Sequence, residues 1–123
     1  MKNGNHKQSF KNALRGLIIS VRTERNLKIM FIVAVIVIAA SFFFRLSIME
    51  FAIIIWAIFA VISVEMINTS LESITDLVRE EWHLKAKRAK DIAGGMVLLA
   101  SMGAFLVGCL IFAPKILVFL FGL

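Results

Sequence analysis

Three apolar stretches alternate with polar segments along the chain. The stretch 29–44 carries no charged residue, and the stretch 92–113 carries none either. Between them, 51–78 is apolar apart from a few polar positions. A membrane-spanning helix needs about 20 apolar residues, with a range of ~17–25. The pattern therefore predicts three transmembrane helices, over 27–45, 48–78 and 90–120.

A shorter amphipathic segment precedes the first span. Its apolar residues recur at the spacing of one helix face; they are Phe10, Leu14, Leu17, Ile18 and Val21. Lysine and arginine side chains gather on an adjoining face. A basic amphipathic helix beside a membrane lies in the headgroup plane. We therefore predict an interfacial helix over 10–22, with the whole chain, 1–123, forming a single domain.

Composition excludes most soluble classes. Of the 123 residues 60% are apolar, whereas soluble domains are about 45–50% apolar. Length and composition exclude soluble doubly wound enzymes and TIM barrels. The one cysteine excludes a disulfide framework and a thiolate zinc site. The fold class that remains is an all-α integral membrane protein.

The distribution of cations predicts the orientation in the membrane. Seven of the 14 lysines and arginines lie within 2–28 and five within 79–90, which is the same side of three spans. The positive-inside rule makes that side cytoplasmic, so the N-terminus is expected inside and the C-terminus outside. A cleaved signal peptide ending near 39–41 fits poorly, because the charged leader is too long for such a peptide.

The second span carries polar residues on one stripe. Glu65, Asn68, Glu72 and Asp76 lie within an arc of about 80° on a helix. At a rise of ~1.5 Å per residue from Phe51, Glu65 lies ~21 Å along the span. Glu72 and Asp76 then lie at or beyond the end of a hydrocarbon core that is ~30 Å thick.

An acid at this depth predicts a function. A carboxylate in the bilayer costs several kcal/mol unless it is paired, hydrated or protonated. The structural alternative is a hydrogen-bond clamp between helices, to which Asn68 would contribute. Glu50 has a different interpretation, because Ser47 and Glu50 fit a capping box at the start of the second span.

Further charges precede the other two spans. Glu24 lies just before the first span, and Lys90 and Asp91 lie just before the third. We expect them to meet the stripe at one interface. Carboxylates without His or Cys suit a hard cation such as Mg²⁺, and a lysine beside it suits a polyphosphate. The pattern therefore points to phosphoryl transfer, without the glycine-rich loop of common nucleotide sites.

Two other classes remain open on these residues alone. A small proton-coupled multidrug transporter could use Glu65 as its proton site, although such proteins have four spans and a single acid near mid-membrane. A membrane assembly subunit is the other alternative, and it would not need carboxylates suited to Mg²⁺.

Two motifs carry a resemblance to a known family. Residues 65–72 with Asp76 form E-x-x-N-[ST]-x-x-E-x-x-x-D, and residues 89–91 read A-K-D. This combination resembles the prokaryotic diacylglycerol kinase family. Residues 22–26 and 112–115 are most similar to its undecaprenol kinase branch.

The resemblance implies a fold and an activity. It implies a three-helix protomer with an N-terminal amphipathic helix, assembled as a homotrimer with active sites shared between subunits. The activity is ATP- and Mg²⁺-dependent phosphorylation of a lipid alcohol, either undecaprenol or diacylglycerol, at the cytoplasmic interface of the bacterial cell membrane. No nucleic-acid partner is expected.

The resemblance also implies roles for individual residues. Glu65 matches the general base that meets the lipid hydroxyl, and Glu24 and Glu72 match the carboxylates that bind the divalent ions. Gly94 is expected to let the lipid headgroup approach the third span. The implied ATP-binding set is Glu24, Asn68, Glu72, Glu81, His83, Lys90 and Asp91, with Lys90 on the phosphates and Asn68 also supporting the catalytic carboxylate.

Overall fold

Four helices form the computed structural model, which describes residues 5–77 and 84–122. In chain order they are α1 (His6–Thr23), α2 (Arg25–Phe43), α3 (Ile48–Leu77) and α4 (Leu84–Phe121). No strand occurs in these residues. Helices α2, α3 and α4 are each long and apolar enough to cross a membrane. The predicted all-α fold, with three membrane helices and one helix before them, is confirmed.

A single extended residue separates α1 from α2. Glu24 has φ −99° and ψ 118°, so it interrupts the helical backbone. Its N–H donates to the Ser20 carbonyl at 2.9 Å, and its own carbonyl accepts from the Lys28 N–H at 3.1 Å. Both backbone groups of Glu24 are therefore satisfied. The two helices join at this one non-helical residue, and we call the junction the Glu24 corner.

Helix α1 presents an apolar face that the chain itself leaves uncovered. It has no buried residue, and Phe10 keeps 66% of its surface exposed. Leu14 and Ile18, one and two turns further on, are exposed as well. An uncovered apolar face beside membrane helices fits a helix lying in the headgroup plane.

The turn between α2 and α3 ends in the predicted capping box. Arg45 has a positive φ of 52°, which lets the chain reverse. The Glu50 N–H donates to the Ser47 hydroxyl at 3.1 Å, and the Ser47 N–H donates to Glu50 Oε2 at 3.3 Å. These reciprocal bonds satisfy donors that the first turn of α3 would otherwise leave free. The interpretation of Glu50 as a helix-start residue is confirmed.

Two ion pairs define the register of α3 against α4. Lys90 Nζ binds Asp76 Oδ1 at one end, and Lys115 Nζ lies 3.1 Å from Glu50 Oε2 at the other. The pairs are separated by nearly equal numbers of residues on the two helices, so α3 and α4 run antiparallel side by side. We call the end with Lys90 the basic end and the end with Lys115 the far end.

Aromatic rings join α2 to α4 at the far end. The Phe43 and Phe44 rings lie 5.6 and 6.0 Å from the Phe119 ring, and the Phe44 ring lies 6.2 Å from that of Phe112. Edge-to-face contacts at these distances are favourable. They hold α2 and α4 together where the α2–α3 turn reverses the chain.

Three helices begin earlier than the hydrophobic pattern predicts, and α2 does so by two residues, at Arg25 rather than at 27. Helix α1 begins at His6 rather than at 10. Just before its first residue, the Asn5 side chain accepts a hydrogen bond from the Lys7 N–H at 3.3 Å. Helix α4 begins at Leu84 rather than at 90. Alanine, lysine and arginine, which fill 85–90, are strong helix formers, so the helix extends beyond its apolar part.

Little of the apolar surface is buried within one chain. The buried apolar side chains of the described residues are those of Leu27, Ala34, Ile54 and Ala93. None of the most apolar 18-residue stretch of α4 is buried. A surface of this kind needs lipid or other protein to cover it.

The capping box predicts a measurable loss of stability. Replacing Ser47 by alanine removes the acceptor for the Glu50 N–H, and loss of such a cap costs about 1 kcal/mol. We expect Ser47→Ala to lower the thermal stability of the detergent-solubilised protein, measured by circular dichroism. Ser9→Ala on exposed α1 is the matched control and should leave stability unchanged. Equal stability of both variants would contradict the capping role.

Candidate active site

Glu65 is a buried acid on an apolar helix. Only 3% of its surface is exposed, and its Oε1 accepts a hydrogen bond of 3.3 Å from the Asn26 side-chain amide at the start of α2. Burying a carboxylate without partners is costly, so this bond helps α3 to tolerate the acid. Sequence reasoning named Glu65 but missed Asn26, whose polar side chain in the first turn of an apolar span was the available signal.

Asn68 lies one turn from Glu65 and has an unsatisfied oxygen. Its Oδ1 is buried and has no hydrogen-bond partner within the described residues. Buried polar atoms are nearly always paired. This acceptor is therefore suited to a donor from a bound molecule or from a neighbouring chain.

The two predicted metal ligands lie on different elements. Glu24 is half-buried at the corner between α1 and α2, and Glu72 is exposed on α3. Among residues 5–77 and 84–122 of one chain, no three acidic, histidine or cysteine side chains gather closely enough to hold a metal. The donor set itself, carboxylate oxygens alone, fits the chemistry of Mg²⁺, which binds one or two carboxylates and fills its remaining positions with phosphate and water.

Lys90 and Asp91 have separate partners. Lys90 forms its ion pair with Asp76 across to α3. Asp91 pairs at 3.3 Å with Lys87, one turn earlier on its own helix. All four side chains are largely exposed, so these contacts can be exchanged for a charged ligand at low cost.

The polar groups occupy two levels along α3 instead of the single level expected. The Asn26 contact lies at Glu65, whereas the Lys90 contact lies at Asp76, 11 residues further along. At ~1.5 Å per residue the two contacts are ~16 Å apart. The cause is that α2 begins at the level of Glu65, while α3 and α4 continue past it.

Gly94 lies on an open part of α4. A Cβ built on it meets nothing within 4 Å, so its own chain does not require a glycine there. By the antiparallel register, Gly94 comes level with Glu72. Its predicted contact with the lipid headgroup stays a prediction. Glu81 and His83 lie outside the described residues.

An apolar groove begins one turn from Glu65. It has a volume of about 580 Å³ and lies between α2, α3 and α4. Its lining includes Met30, one turn from Asn26, and Ile62, one turn from Glu65. On α4 the lining extends from Ser101 past Gly108 to Ile116. No charged residue lines it. The site thus joins an apolar groove, a buried carboxylate and an exposed charged region in that order.

Comparison with known proteins identifies the family. The family model for prokaryotic diacylglycerol kinase matches residues 11–112. This chain belongs to the prokaryotic diacylglycerol kinase family. The resemblance seen in the motifs is thereby confirmed, as is the prediction of a membrane kinase. The roles of individual residues stay predictions.

The relatives that this chain resembles include an undecaprenol kinase and diacylglycerol kinases. The chain is 38% identical over 109 residues to an undecaprenol kinase of Bacillus subtilis, covering 89% of each chain. It is 39% identical over 108 residues to a diacylglycerol kinase of Synechocystis, covering 86% of this chain and 62% of the relative. A diacylglycerol kinase of Escherichia coli matches at 30% over 59 residues, which is 48% of each chain.

Proposed function

We propose that this kinase transfers the γ-phosphoryl group of ATP to the hydroxyl of undecaprenol at the cytoplasmic face of the bacterial cell membrane. The observation that carries the proposal is the position of Glu65, buried on a membrane helix between an apolar groove and a charged region. The similarity to an undecaprenol kinase along 89% of both chains supports the choice of lipid. Diacylglycerol is the second candidate, supported by the similarity to the Synechocystis enzyme.

The two levels of polar groups suit two substrates of which one is dissolved in the bilayer and the other in water. A lipid alcohol cannot leave the bilayer, and a triphosphate cannot enter it. Glu65 lies at the level where α2 begins, and the exposed Lys90 and Asp76 lie ~16 Å beyond it. We therefore infer that the lipid hydroxyl reaches Glu65 from the membrane while Lys90 and Asp91 contact the nucleotide from water.

The proposed step is an in-line displacement at the γ-phosphorus. The Glu65 carboxylate accepts the proton of the lipid hydroxyl as the oxygen bonds to the γ-phosphorus, and the bond to the β–γ bridging oxygen breaks. The products are ADP and the lipid phosphate. Lys90 stabilises negative charge on the phosphates of ATP. Asn68 Oδ1 accepts a hydrogen bond from a bound substrate or from a neighbouring chain.

Glu24 and Glu72 are the proposed magnesium ligands. When bound, Mg²⁺ neutralises charge on the phosphate oxygens. We propose that these ligands lie in sites shared between subunits of a homotrimer, as the resemblance implies. The distribution of lysine and arginine supports an N-terminus inside the cell and a C-terminus outside. The uncovered apolar surface of α4 and the unpaired Asn68 Oδ1 support contact with neighbouring copies.

Phosphate transfer from radiolabelled ATP tests the proposed function. Purified protein in mixed micelles should label undecaprenol faster than diacylglycerol. Glu65→Gln should reduce turnover by at least about 100-fold, because general base catalysis contributes 10²–10⁴-fold, while the oligomer stays intact by size-exclusion chromatography. Near-normal turnover in that variant would remove Glu65 from the mechanism. Absence of lipid labelling by the wild type would contradict the kinase proposal.

The metal proposal predicts a selective defect. Glu72→Gln removes one anionic oxygen ligand, so the Mg²⁺ concentration needed for half-maximal activity should rise several-fold. Glu50→Gln makes the same exchange at the far end and should leave that concentration unchanged. A titration of initial rate against Mg²⁺ measures both. An unchanged requirement in Glu72→Gln would exclude Glu72 as a ligand.

The apolar groove predicts where the hydrocarbon chain of the lipid lies. It begins one turn from Glu65, and a Cβ on Gly108 meets nothing within 4 Å. The leucine of Gly108→Leu should therefore extend into the groove and occupy part of it. We expect the KM for undecaprenol to rise several-fold and the KM for ATP to stay unchanged. Gly103→Leu is the control, since Gly103 is equally open but does not line the groove.

Two results would contradict this placement of the lipid chain. Equal KM values for undecaprenol in the two glycine variants would show that the groove does not hold the hydrocarbon. Dissociation of the oligomer by Gly108→Leu alone would show that a second copy of the chain fills it.

A further inference from the structure

We propose that Asn26 is a positioning residue that orients the Glu65 carboxylate for proton transfer. The inference rests on the proposed function, in which Glu65 is the base. The Asn26 amide binds one carboxylate oxygen, and this leaves the other oxygen to meet the lipid hydroxyl. Asn26 therefore acts on the reaction through Glu65, without touching either substrate.

The contact joins groups that are distant in sequence. The Asn26 Nδ2 donates to Glu65 Oε1 at 3.3 Å across 39 residues. No other side-chain hydrogen bond to this carboxylate occurs among residues 5–77 and 84–122. Because Glu65 is almost fully buried, water competes little for Oε1. The Asn26 amide donor therefore sets the orientation of the Glu65 carboxylate.

The start of α2 holds the backbone of Asn26 in place, while the Asn26 residue itself is exposed. Leu27, the next residue, is fully buried. The corner residue Glu24 accepts the Lys28 N–H in the first helical hydrogen bond of α2. Asn26 lies between these two restrained positions. A donor on a fixed first turn can hold a carboxylate within the narrow geometric limits that catalysis requires.

A neutral donor suits a base better than a cation would. A lysine or arginine at this position would form an ion pair that favours the charged carboxylate strongly and opposes its protonation. An amide supplies direction with a weaker electrostatic effect, and it keeps its donor at every pH at which the kinase works. The residue type therefore agrees with a role in orientation.

The experiment compares substitutions that keep or remove the donor. Asn26→Asp has nearly the same shape but loses the amide donor and adds a negative charge beside Glu65, whereas Asn26→Gln keeps the amide. Asn26→Ala removes the group entirely. Asn12→Ala removes an exposed amide of α1, which accepts from Gln8, and is the matched control. Each variant is assayed with undecaprenol and Mg·ATP.

The expected result is a loss of kcat with unchanged KM. Asn26→Ala and Asn26→Asp should lower kcat by about 10- to 100-fold, the scale of an effect from a misplaced catalytic group. The KM values for undecaprenol and ATP should stay at wild-type levels. Asn26→Gln should restore most of the lost kcat, and Asn12→Ala should match the wild type.

Three outcomes would overturn the inference. Wild-type kcat in Asn26→Asp would show that the donor is not needed, even if Asn26→Ala failed to fold. Lower thermal stability with unchanged kcat would make Asn26 only a clamp between helices. A raised KM with unchanged kcat would make it a substrate contact. Glu65→Gln is measured in parallel: an inactive Glu65→Gln with an active Asn26→Asp rejects only the inference, whereas an active Glu65→Gln rejects the proposed function.

Discussion

A carboxylate buried on an apolar helix needs a hydrogen-bond donor at the same depth on a neighbouring helix. In this chain the first turn of α2 supplies that donor. The Asn26–Glu65 hydrogen bond aligns the first turn of α2 with the middle of the polar stripe on α3. Helix α2 has 19 residues and is therefore ~29 Å long, close to the ~30 Å thickness of the hydrocarbon core. The level of Glu65 is thus the level at which α2, the shortest membrane helix, begins.

The longer helices extend the molecule past that level. Helices α3 and α4 have 30 and 38 residues, so their basic ends project beyond the start of α2 and carry the exposed pair of Asp76 and Lys90. On the other side of Glu65 lies the apolar groove. The unequal helix lengths therefore separate the apolar groove from the solvent-exposed basic ends of α3 and α4. The Glu65 carboxylate lies between these two regions. That separation is the physical requirement for joining a phosphate to a membrane alcohol.

Much of this architecture was predictable from local pattern. The apolar stretches predicted three membrane helices, and the spacing of Ser47 and Glu50 predicted the capping box, because both depend on neighbours within a few residues. The bounds of α1 and α4 were predicted less well, since hydrophobic periodicity stops at the first apolar residue while Asn5 and the lysine-rich segment extend the helices further. The importance of Glu65 was predictable, because burying a carboxylate in an apolar span costs free energy however the span packs against its neighbours.

The sequence by itself determined the number of spans, the kinase motifs and the identity of the buried acid. The tertiary structure decided the partner of that acid, the register of α3 against α4, and the division of the polar groups into two levels. Asn26 and Glu65 lie 39 residues apart, and no periodicity links them. Their contact depends on where α2 starts relative to α3, which is set by the Glu24 corner and by packing at the far end, and such a relation between helices exists only in the folded chain.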